Sequence, residues 1–327
     1  MERKRTIISF IATGALLALL ACIDLIWGLG ILSGEKWSLE KTSIISLIRL
    51  PRLLSAVIAG GALALAGCQM QGILRNPLAD PHIMGITSGA SLGAALTVLS
   101  CSSVASLPAM QNVSIVGAAF IGAVLAAILV LAVAGRFHDP GTLLIFGVML
   151  GFIVNAVIVV LQSSGSAEAM KTFHGWSSGS FSTTSWTGVA VLAATAAGGA
   201  LAGILNSRGL DAIMFGEEFA ELAGTNPRST RVTSILSCCI ITAGVTAFCG
   251  PIGFVGIIGP HIARWTSGTS VHRTVLPLSM LCGSLIAVLA DTISHISGSP
   301  LPVSSTMALV GVPVILYILL KKPASAV

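Results

Sequence analysis

The stretch RLPRLLSAVIAGGALALAGCQMQGILRNPLADPHIMGITSGA, residues 49–90, decides the fold of this chain. Two apolar runs, residues 53–74 and 83–99, flank the polar segment NPLADP at residues 76–81. Its two prolines lack the backbone N–H that a helix needs, and its Asn and Asp side chains can accept hydrogen bonds from freed backbone groups. The pattern predicts two membrane-spanning helices joined by a tight polar turn.

The composition of the whole chain is that of a membrane protein. Hydrophobic residues make up 54% of the sequence and charged residues 9%, with a mean hydropathy of +0.96. A soluble domain carries about 25% charged residues, and the apolar runs of a soluble α/β protein fall short of the ~20 residues that cross a bilayer. We therefore expect an all-α, polytopic membrane protein that forms one transmembrane domain over residues 1–327.

The first apolar segment admits two interpretations. The basic start MERKR and the triplet Leu20-Ala21-Cys22 resemble a lipoprotein signal peptide. The apolar stretch continues to Leu32, however, which is long enough for a retained helix, and we favour that interpretation. Ten spans are then expected, at residues 7–32, 53–74, 83–99, 113–134, 143–161, 186–205, 232–248, 252–262, 275–293 and 307–320.

The basic residues predict the orientation of these spans. With the amino terminus inside, twelve of the 17 Lys and Arg residues fall on the inner side and five on the outer side. Cytoplasmic loops carry an excess of Lys and Arg, so both termini are expected inside. The net charge of +5 follows from this orientation and gives no indication of nucleic-acid binding.

The sequence offers no chemistry of its own to drive transport. No P-loop pattern G-x-x-x-x-G-K-[ST] occurs, and the cysteines and histidines show neither CxxC nor HExxH spacing. No serine–histidine, carboxylate-pair or metal cluster supports an enzyme embedded in the membrane. We expect a chain without enzymatic activity, metal or bound cofactor, whose energy comes from a partner or an ion gradient.

An ion-coupled carrier is the alternative that the acidic residues keep open. Such carriers place ionisable groups within the bilayer, and the acids within the expected spans are Asp24 and Asp291. Asp291 lies near an outer helix end, and Asp24 is expected to have no obvious partner. Structural hydrogen bonding or snorkelling is the favoured role for both.

The inner loop at about residues 206–231 is long enough to bind a protein. Glu217, Glu218 and Glu221 lead a short amphipathic segment in which Phe219 and Leu222 are three residues apart. A solvated loop is one interpretation. A short helix on the inner face, offered to a motor subunit, is the other.

Several ordered blocks make the chain resemble one family. They are RLPR at 49–52, a Gly/Ala-rich run ending at residue 67, QGILRNPLADPHIMGITSGA at 71–90, W-x-x-G-S-F at 176–181, AGTNPRSTR at 223–231, GPIGFVGIIGPHIAR at 250–264 and ADTISH at 290–295. Each block alone is moderately specific, but they follow the family order over nearly the whole chain. The chain resembles the FecCD family, the membrane permeases of ABC importers for iron chelates, haem and vitamin B12.

The resemblance implies an assembly and a cargo class. Family members have ten helices, pair as homodimers around a central pore, bind two ATP-binding cassette subunits inside and receive cargo from an extracytoplasmic solute-binding protein. The implied location is the bacterial inner membrane, and ATP is used by the partner ATPase. The expected cargo is an iron chelate, a siderophore or haem, and vitamin B12 is the alternative.

The resemblance also implies an outer docking site. Arg49 and Arg52 match family arginines that pair with acidic residues of the binding protein, which suits bidentate guanidinium–carboxylate bonds. The family tends to place a third arginine where this chain has His295, so the third contact is either lost or sensitive to pH. Anchoring of the helix at the membrane interface is the competing role for the two arginines.

Three further groups of residues receive roles by resemblance. The turn before the third span and the fifth span are expected to form a gate or line the path, through Asn76, Pro77, Asp80, Pro81, Gly151 and Asn155. Residues 250–261 are expected to form a broken re-entrant segment. ATPase coupling is expected at Gly216, Glu217, Glu218, Ala220, Leu222, Gly224, His261 and Arg264. A structural turn, an interhelical hydrogen bond and a helix cap are the competing roles.

Overall fold

The computed structural model describes residues 2–26, 39–100, 108–136, 140–296 and 301–321. Over these residues the chain forms α-helices joined by short connections, with one π-helical and one 3₁₀ turn. The helices are α1 Glu2–Ile26, α2 Leu39–Ile44, α3 Leu50–Leu74, α4 Ile86–Ser100, α5 Pro108–Arg136, α6 Pro140–Ser164, α7 Ala167–Ser177, α8 Trp186–Leu205, α9 Ser207–Met214, α10 Glu217–Leu222, α11 Pro227–Cys249, α12 Val255–Ser267, α13 His272–Ile296 and α14 Val303–Lys321. The π-helical turn is Ile45–Arg49 and the 3₁₀ turn is Pro81–Met84.

The all-α polytopic fold is confirmed. Seven helices in the described part of the chain are long and apolar enough to cross a membrane, and α4 and α14 are shorter apolar helices. The eighth predicted span, residues 252–262, corresponds in part to α12, and the tenth corresponds to α14, so each expected span has a helix as its counterpart. The end of the first span, residues 27–32, lies outside the described residues.

The eighth predicted span begins later than expected. Residues 252–262 were expected to be helical, whereas α12 is Val255–Ser267. Gly250 has φ 73° and Phe254 has φ 70°, and this left-handed backbone cannot continue a helix. Pro260 lies inside α12 and does not end it.

Helix α3 forms the centre of the bundle. It packs against α13, α11, α12 and α8, and most of its length is buried. Glycines allow these contacts to be close: a Cβ on Gly67 would lie 1.9 Å from the Gly256 carbonyl oxygen, and one on Gly60 would lie 2.5 Å from that of Gly283. Small residues at helix crossings are how membrane helices obtain tight packing.

Contacts between helix ends agree with the predicted orientation. On the inner side Arg5 donates to the carbonyl of Thr266 at 2.9 Å, and Arg228 donates to that of Gly135 at 3.2 Å. On the outer side the indole of Trp186 donates to the carbonyl of Ser46 at 3.1 Å. Each contact joins two segments that the basic-residue count places on the same side, so the packing agrees with that count, and the location of both termini on the inner side stays a prediction.

Candidate docking, gate and coupling sites

An ion-pair cluster occupies the outer ends of α1, α3 and α13. Arg52 donates from Nε to Asp291 Oδ2 at 2.7 Å and lies 3.9 Å from Asp24 Oδ1. A second guanidinium nitrogen lies 2.6 Å from His295 Nδ1, which accepts the hydrogen bond. The side chains of Arg52, Asp24 and Asp291 are only 14%, 8% and 1% exposed. The cluster therefore pairs these buried charges within the subunit, while Asp291 Oδ1 has no hydrogen-bond partner among the described residues.

This cluster corrects one expectation. Asp24 was expected to have no obvious partner, but it faces Arg52 and accepts a hydrogen bond from the Thr292 hydroxyl at 3.3 Å. The partners lie far apart in the sequence, and only the packing of α1 against α13 brings them together. No local pattern could have indicated the pairing.

The three residues predicted to dock a binding protein lie near one another at the outer ends of the helices, but they have different hydrogen-bond partners. Arg49 donates to the carbonyls of Leu25 at 3.0 Å and Asp24 at 3.3 Å. Arg52 and His295 bind each other and Asp291. Docking by these residues stays a prediction, and it now includes a condition: a carboxylate from outside would have to compete with Asp291 for Arg52.

Two non-helical segments meet within the bundle. In the first, Asp80 Oδ1 accepts from the backbone N–H of His82 at 2.8 Å and so caps the 3₁₀ turn. In the second, residues 250–254, the carbonyl of Ile252 accepts a hydrogen bond from His82 Nε2. Thr87 Oγ lies 2.6 Å from the other ring nitrogen of His82. This histidine, which the sequence analysis did not assign a role, is the direct link between the segments.

The four predicted gate residues of the turn differ in how deeply they are buried. Asp80 and Pro81 are buried and face Gly256, where a Cβ would lie 2.8 Å from the proline ring. Asp80 Oδ2 is buried without a hydrogen-bond partner among the described residues. Asn76 stabilises the turn by accepting from the backbone N–H of Leu78 at 2.9 Å, and Pro77 is exposed. A gating role for these four residues stays a prediction.

Helix α6 lies at the edge of the subunit. It packs mainly on α4 and the 3₁₀ turn, and large apolar side chains such as Phe152 and Ile153 are exposed on it. Gly151 faces Ser88 of α4, whereas Asn155 is exposed. An exposed amide on a membrane helix requires a polar neighbour or water, because lipid supplies no hydrogen bonds.

The inner loop is more structured than expected. It contains α9 and α10, and α10 is bounded by Gly216 at φ 118° and Gly224 at φ 76°, conformations that favour glycine. Glu217 binds Arg231 of α11, and Ala220 is the buried residue of α10. Glu218 and Glu221 are exposed, together with the apolar side chains of Phe215, Phe219 and Leu222.

His261 and Arg264 differ from the other residues predicted to couple to the ATPase. Arg264 donates to Gln71 Oε1 of α3 at 2.5 Å and lies near the Cys68 sulfur. His261 Nδ1 lies 2.8 Å from the carbonyl of Ile257, one turn earlier in α12. Both half-buried side chains contact the bundle, and their contact with an ATPase stays a prediction.

No group of three or more His, Cys, Asp or Glu side chains in the described ranges could hold a metal ion. The described cysteines are free thiols, and five of the six are buried. They pack as small apolar side chains.

Comparison with known proteins shows the family. The model of the FecCD transport family matches residues 6–321. The chain is 34% identical over 278 residues to the cobalamin import system permease protein BtuC of Halobacterium salinarum, covering 84% of this chain and 73% of that protein. It is 33% identical to the hemin transport system permease protein HmuU of Yersinia pestis over 84% of this chain and 82% of that one. It is 34% identical to the ferric enterobactin transport system permease protein FepD of Escherichia coli over 89% and 85%.

A solved structure shares the fold over the full bundle. It is described as an inward-facing conformation of a metal-chelate type ABC transporter, and it matches with a TM-score of 0.86 and 28% identity over 95% of this chain and 98% of that chain. The helical bundle, the ordered sequence blocks and the similarity over most of the length of these permeases lead to one conclusion: the chain belongs to the FecCD transport family.

Proposed function

We propose that this chain is the membrane permease subunit of a binding-protein-dependent ABC importer, with ATP hydrolysed by a separate subunit. The observation that carries the proposal is the α9–α10 segment. Phe215, Phe219 and Leu222 are 76%, 50% and 88% exposed there, on the inner side and beside acidic residues. Exposed apolar patches with a polar rim mark protein interaction sites. An ATPase subunit is the partner that a permease of this family requires.

The charges within the bundle support this function over an ion-coupled carrier. Such a carrier needs an intramembrane carboxylate that can exchange a cation or proton. Asp24 and Asp291 both face Arg52, and Asp291 is bound to it by a short ion pair. Their charges are thereby compensated by a fixed partner, as expected for acids with a structural role.

A homodimer with a central path is part of the proposal. A single bundle leaves α6 largely uncovered, with Asn155 exposed among apolar side chains. A second copy of the chain would cover part of this surface and leave the amide facing a water-filled path, where its hydrogen bonds can be satisfied. Buried in lipid, the same amide would lose those bonds.

The cargo is proposed from the relatives and from the character of α6. Curated relatives carry the names of hemin, ferric enterobactin and cobalamin permeases. We propose an iron chelate, a siderophore or haem, as the cargo, with vitamin B12 as the second candidate because a cobalamin permease is among the similar relatives. All three are bulky, which suits an apolar path that lets a bound cargo pass and leaves selection to the binding protein.

Co-purification and reconstitution test the proposal. The tagged chain, expressed with a candidate ATP-binding cassette subunit and a candidate solute-binding protein, is expected to purify with the ATPase. In proteoliposomes the complex is expected to take up ferric siderophore, haem or cobalamin only with ATP inside and the loaded binding protein outside. Uptake by the chain alone under a proton gradient, unchanged by ATP and ATPase, would contradict the proposal.

A further inference from the structure

Helix α13 is held at its inner end by a residue of another helix. Asp211 of α9 accepts from the backbone N–H of His272, the first residue of α13, at 2.9 Å. The same oxygen, Oδ1, lies 2.7 Å from His272 Nδ1. A carboxylate at this position caps the helix and interacts favourably with its dipole. The imidazole is fully buried, so separating α9 from α13 would leave buried polar groups unsatisfied.

The packing around this inner joint has little room for independent movement. A Cβ on Gly72 of α3 would lie 2.9 Å from His272 Nε2 and 3.4 Å from the Leu210 side chain of α9. Three helices therefore meet at one point. Because tightly packed interiors transmit displacement rather than absorb it, a push on α9 moves the start of α13.

The segment that contains α9 and α10 is also attached to α11. Asn206 donates to the carbonyl of Thr230 and to the Ser234 hydroxyl, both at 2.8 Å. Glu217, at the start of α10, binds Arg231. The exposed surface proposed to receive the ATPase is therefore attached by polar contacts to the inner ends of α11 and α13.

The outer end of α13 has a second polar joint. Asp291 binds Arg52 of α3 at 2.7 Å, and the Asp291 backbone carbonyl also accepts from that guanidinium at 3.4 Å. Thr292 binds Asp24 of α1. Helix α13 has 25 residues, and at 1.5 Å per residue the 19 residues from His272 to Asp291 separate the two joints by about 29 Å.

We propose that α13 transmits movement between the inner α9–α10 segment and the outer face of the subunit, with Asp211–His272 as its inner joint and Arg52–Asp291 as its outer joint. The inference rests on the proposed function, because it requires an ATPase on one side and a binding protein on the other. It assigns Asp211, His272 and Asp291 as positioning residues that neither partner needs to touch.

The chemistry of the joints supports transmission over stability alone. A buried ion pair adds little stability compared with well-packed apolar residues, because its charges lose hydration. The polar joints do favour one alignment of the neighbouring helices, since any other leaves buried polar groups without hydrogen-bond partners. With such a joint near each end, α13 is a physical connection through which a displacement at the inner face can reach the outer face, and the reverse.

The test is a double-mutant cycle on the full complex of permease, ATPase and binding protein in lipid nanodiscs. The readout is the ratio of ATP hydrolysis with and without the loaded binding protein. Asp211→Asn retains an oxygen that can cap α13 and removes the negative charge. Asp291→Asn likewise retains an oxygen that can accept a hydrogen bond from Arg52 and removes the charge at the outer joint. Glu168→Gln, an exposed change on α7 away from both joints and from the α9–α10 segment, is the matched control.

Each joint variant is expected to lower the stimulation ratio by about fivefold or more, within the usual range of coupling between sites. The double variant is expected to fall no further than the lower single variant. The free-energy effects of two substitutions this far apart normally add when the sites are independent. A double variant whose ratio falls by the product of the two single effects would therefore overturn the inference. Single variants that leave the ratio at the control value would overturn it too.

A second measurement needs no change at the outer joint and covers the case in which Asp291→Asn does not assemble. Hydrogen exchange at the outer end of α13 is followed on ATP binding in the wild-type complex and in the Asp211→Asn complex. The exchange rate there is expected to change on ATP binding in the wild-type complex and to stay the same in the Asp211→Asn complex. An equal change in both complexes contradicts the inference. A wild-type complex whose hydrolysis the binding protein does not stimulate contradicts the proposed function instead.

Discussion

Substitution of Gly67 by alanine tests the packing at the centre of the bundle. A Cβ at this position would lie 1.9 Å from the carbonyl oxygen of Gly256 and 2.4 Å from its carbonyl carbon. Nonbonded heavy atoms prefer about 3.5 Å or more, so α3 and α12 would have to separate by roughly 1.5 Å. Backbone atoms cannot rotate away as a side chain can, so the whole crossing must shift.

The expected cost follows from three contributions. Overpacking of this kind costs about 1–3 kcal/mol, and the upper end applies because the obstacle is backbone. The shift would also break the hydrogen bond from Gln71 to the Gly256 carbonyl, now 3.2 Å, which contributes about 1 kcal/mol. The better helix propensity of alanine returns about 1 kcal/mol. The net loss of unfolding free energy is about 3 kcal/mol.

The assay is thermal unfolding of the purified subunit in detergent, with Gly198→Ala as the matched control. A Cβ on Gly198 of α8 would meet nothing within 4 Å, so the control is expected to change the free energy of unfolding by less than about 1 kcal/mol. Gly67→Ala is expected to lower the apparent melting temperature by about 6 °C or more. Equal melting temperatures for the two variants would refute the close α3–α12 crossing.

Three further predictions concern the candidate sites. Asp291→Ala is expected to lower the free energy of unfolding by about 3–5 kcal/mol, because it leaves Arg52 buried without its main partner; a melting temperature within 2 °C of the wild type would contradict this. Leu222→Glu changes a side chain that is 88% exposed, so it is expected to leave the melting temperature unchanged and reduce ATPase co-purification about tenfold, equivalent to 1.4 kcal/mol; retained binding would remove α10 from the interface. Asn155→Leu, also at an exposed position, is expected to preserve assembly and to lower the rate of cargo uptake, and an unchanged uptake rate would place Asn155 outside the path.

The spans were predictable because one physical requirement governs them. Segments of about 20 apolar residues bounded by prolines, glycines or charges produce helices that cross the bilayer, and the ten expected spans all have helical counterparts. The orientation followed from the basic residues for the same reason. These properties are local in the sequence, so no knowledge of the packing was needed.

The features that were missed depend on contacts between distant segments or on unusual backbone. Asp24 meets Arg52 and Thr292 only because α1 packs beside α13. The later start of α12 reflects the positive φ of Phe254, which a phenylalanine does not signal in a sequence. The sequence analysis did not identify α9 within the inner loop. Its eight residues are too few to cross the membrane, and the apolar face that they bury becomes visible only in the structure.

The site residues were predictable in position more than in function. The structure contains the turn before the third span and the short acidic helix α10, whereas the docking, gate and coupling roles of these residues stay predictions. Their partners did not follow from the motifs: Arg52 binds Asp291, and Arg264 binds Gln71. His82, which connects the two non-helical segments, adjoins the predicted turn, and its position directly after Pro81 was the available signal.

The central claim is that this chain conducts cargo only as part of an ATP-driven complex. The most direct measurement is cargo uptake into proteoliposomes that contain the permease with its ATPase, loaded with ATP or with a non-hydrolysable analogue. We expect uptake with ATP and loaded binding protein, and none with the analogue or when Leu222→Glu removes the ATPase. Uptake at the same rate with the analogue, or by the permease alone under an ion gradient, would contradict it.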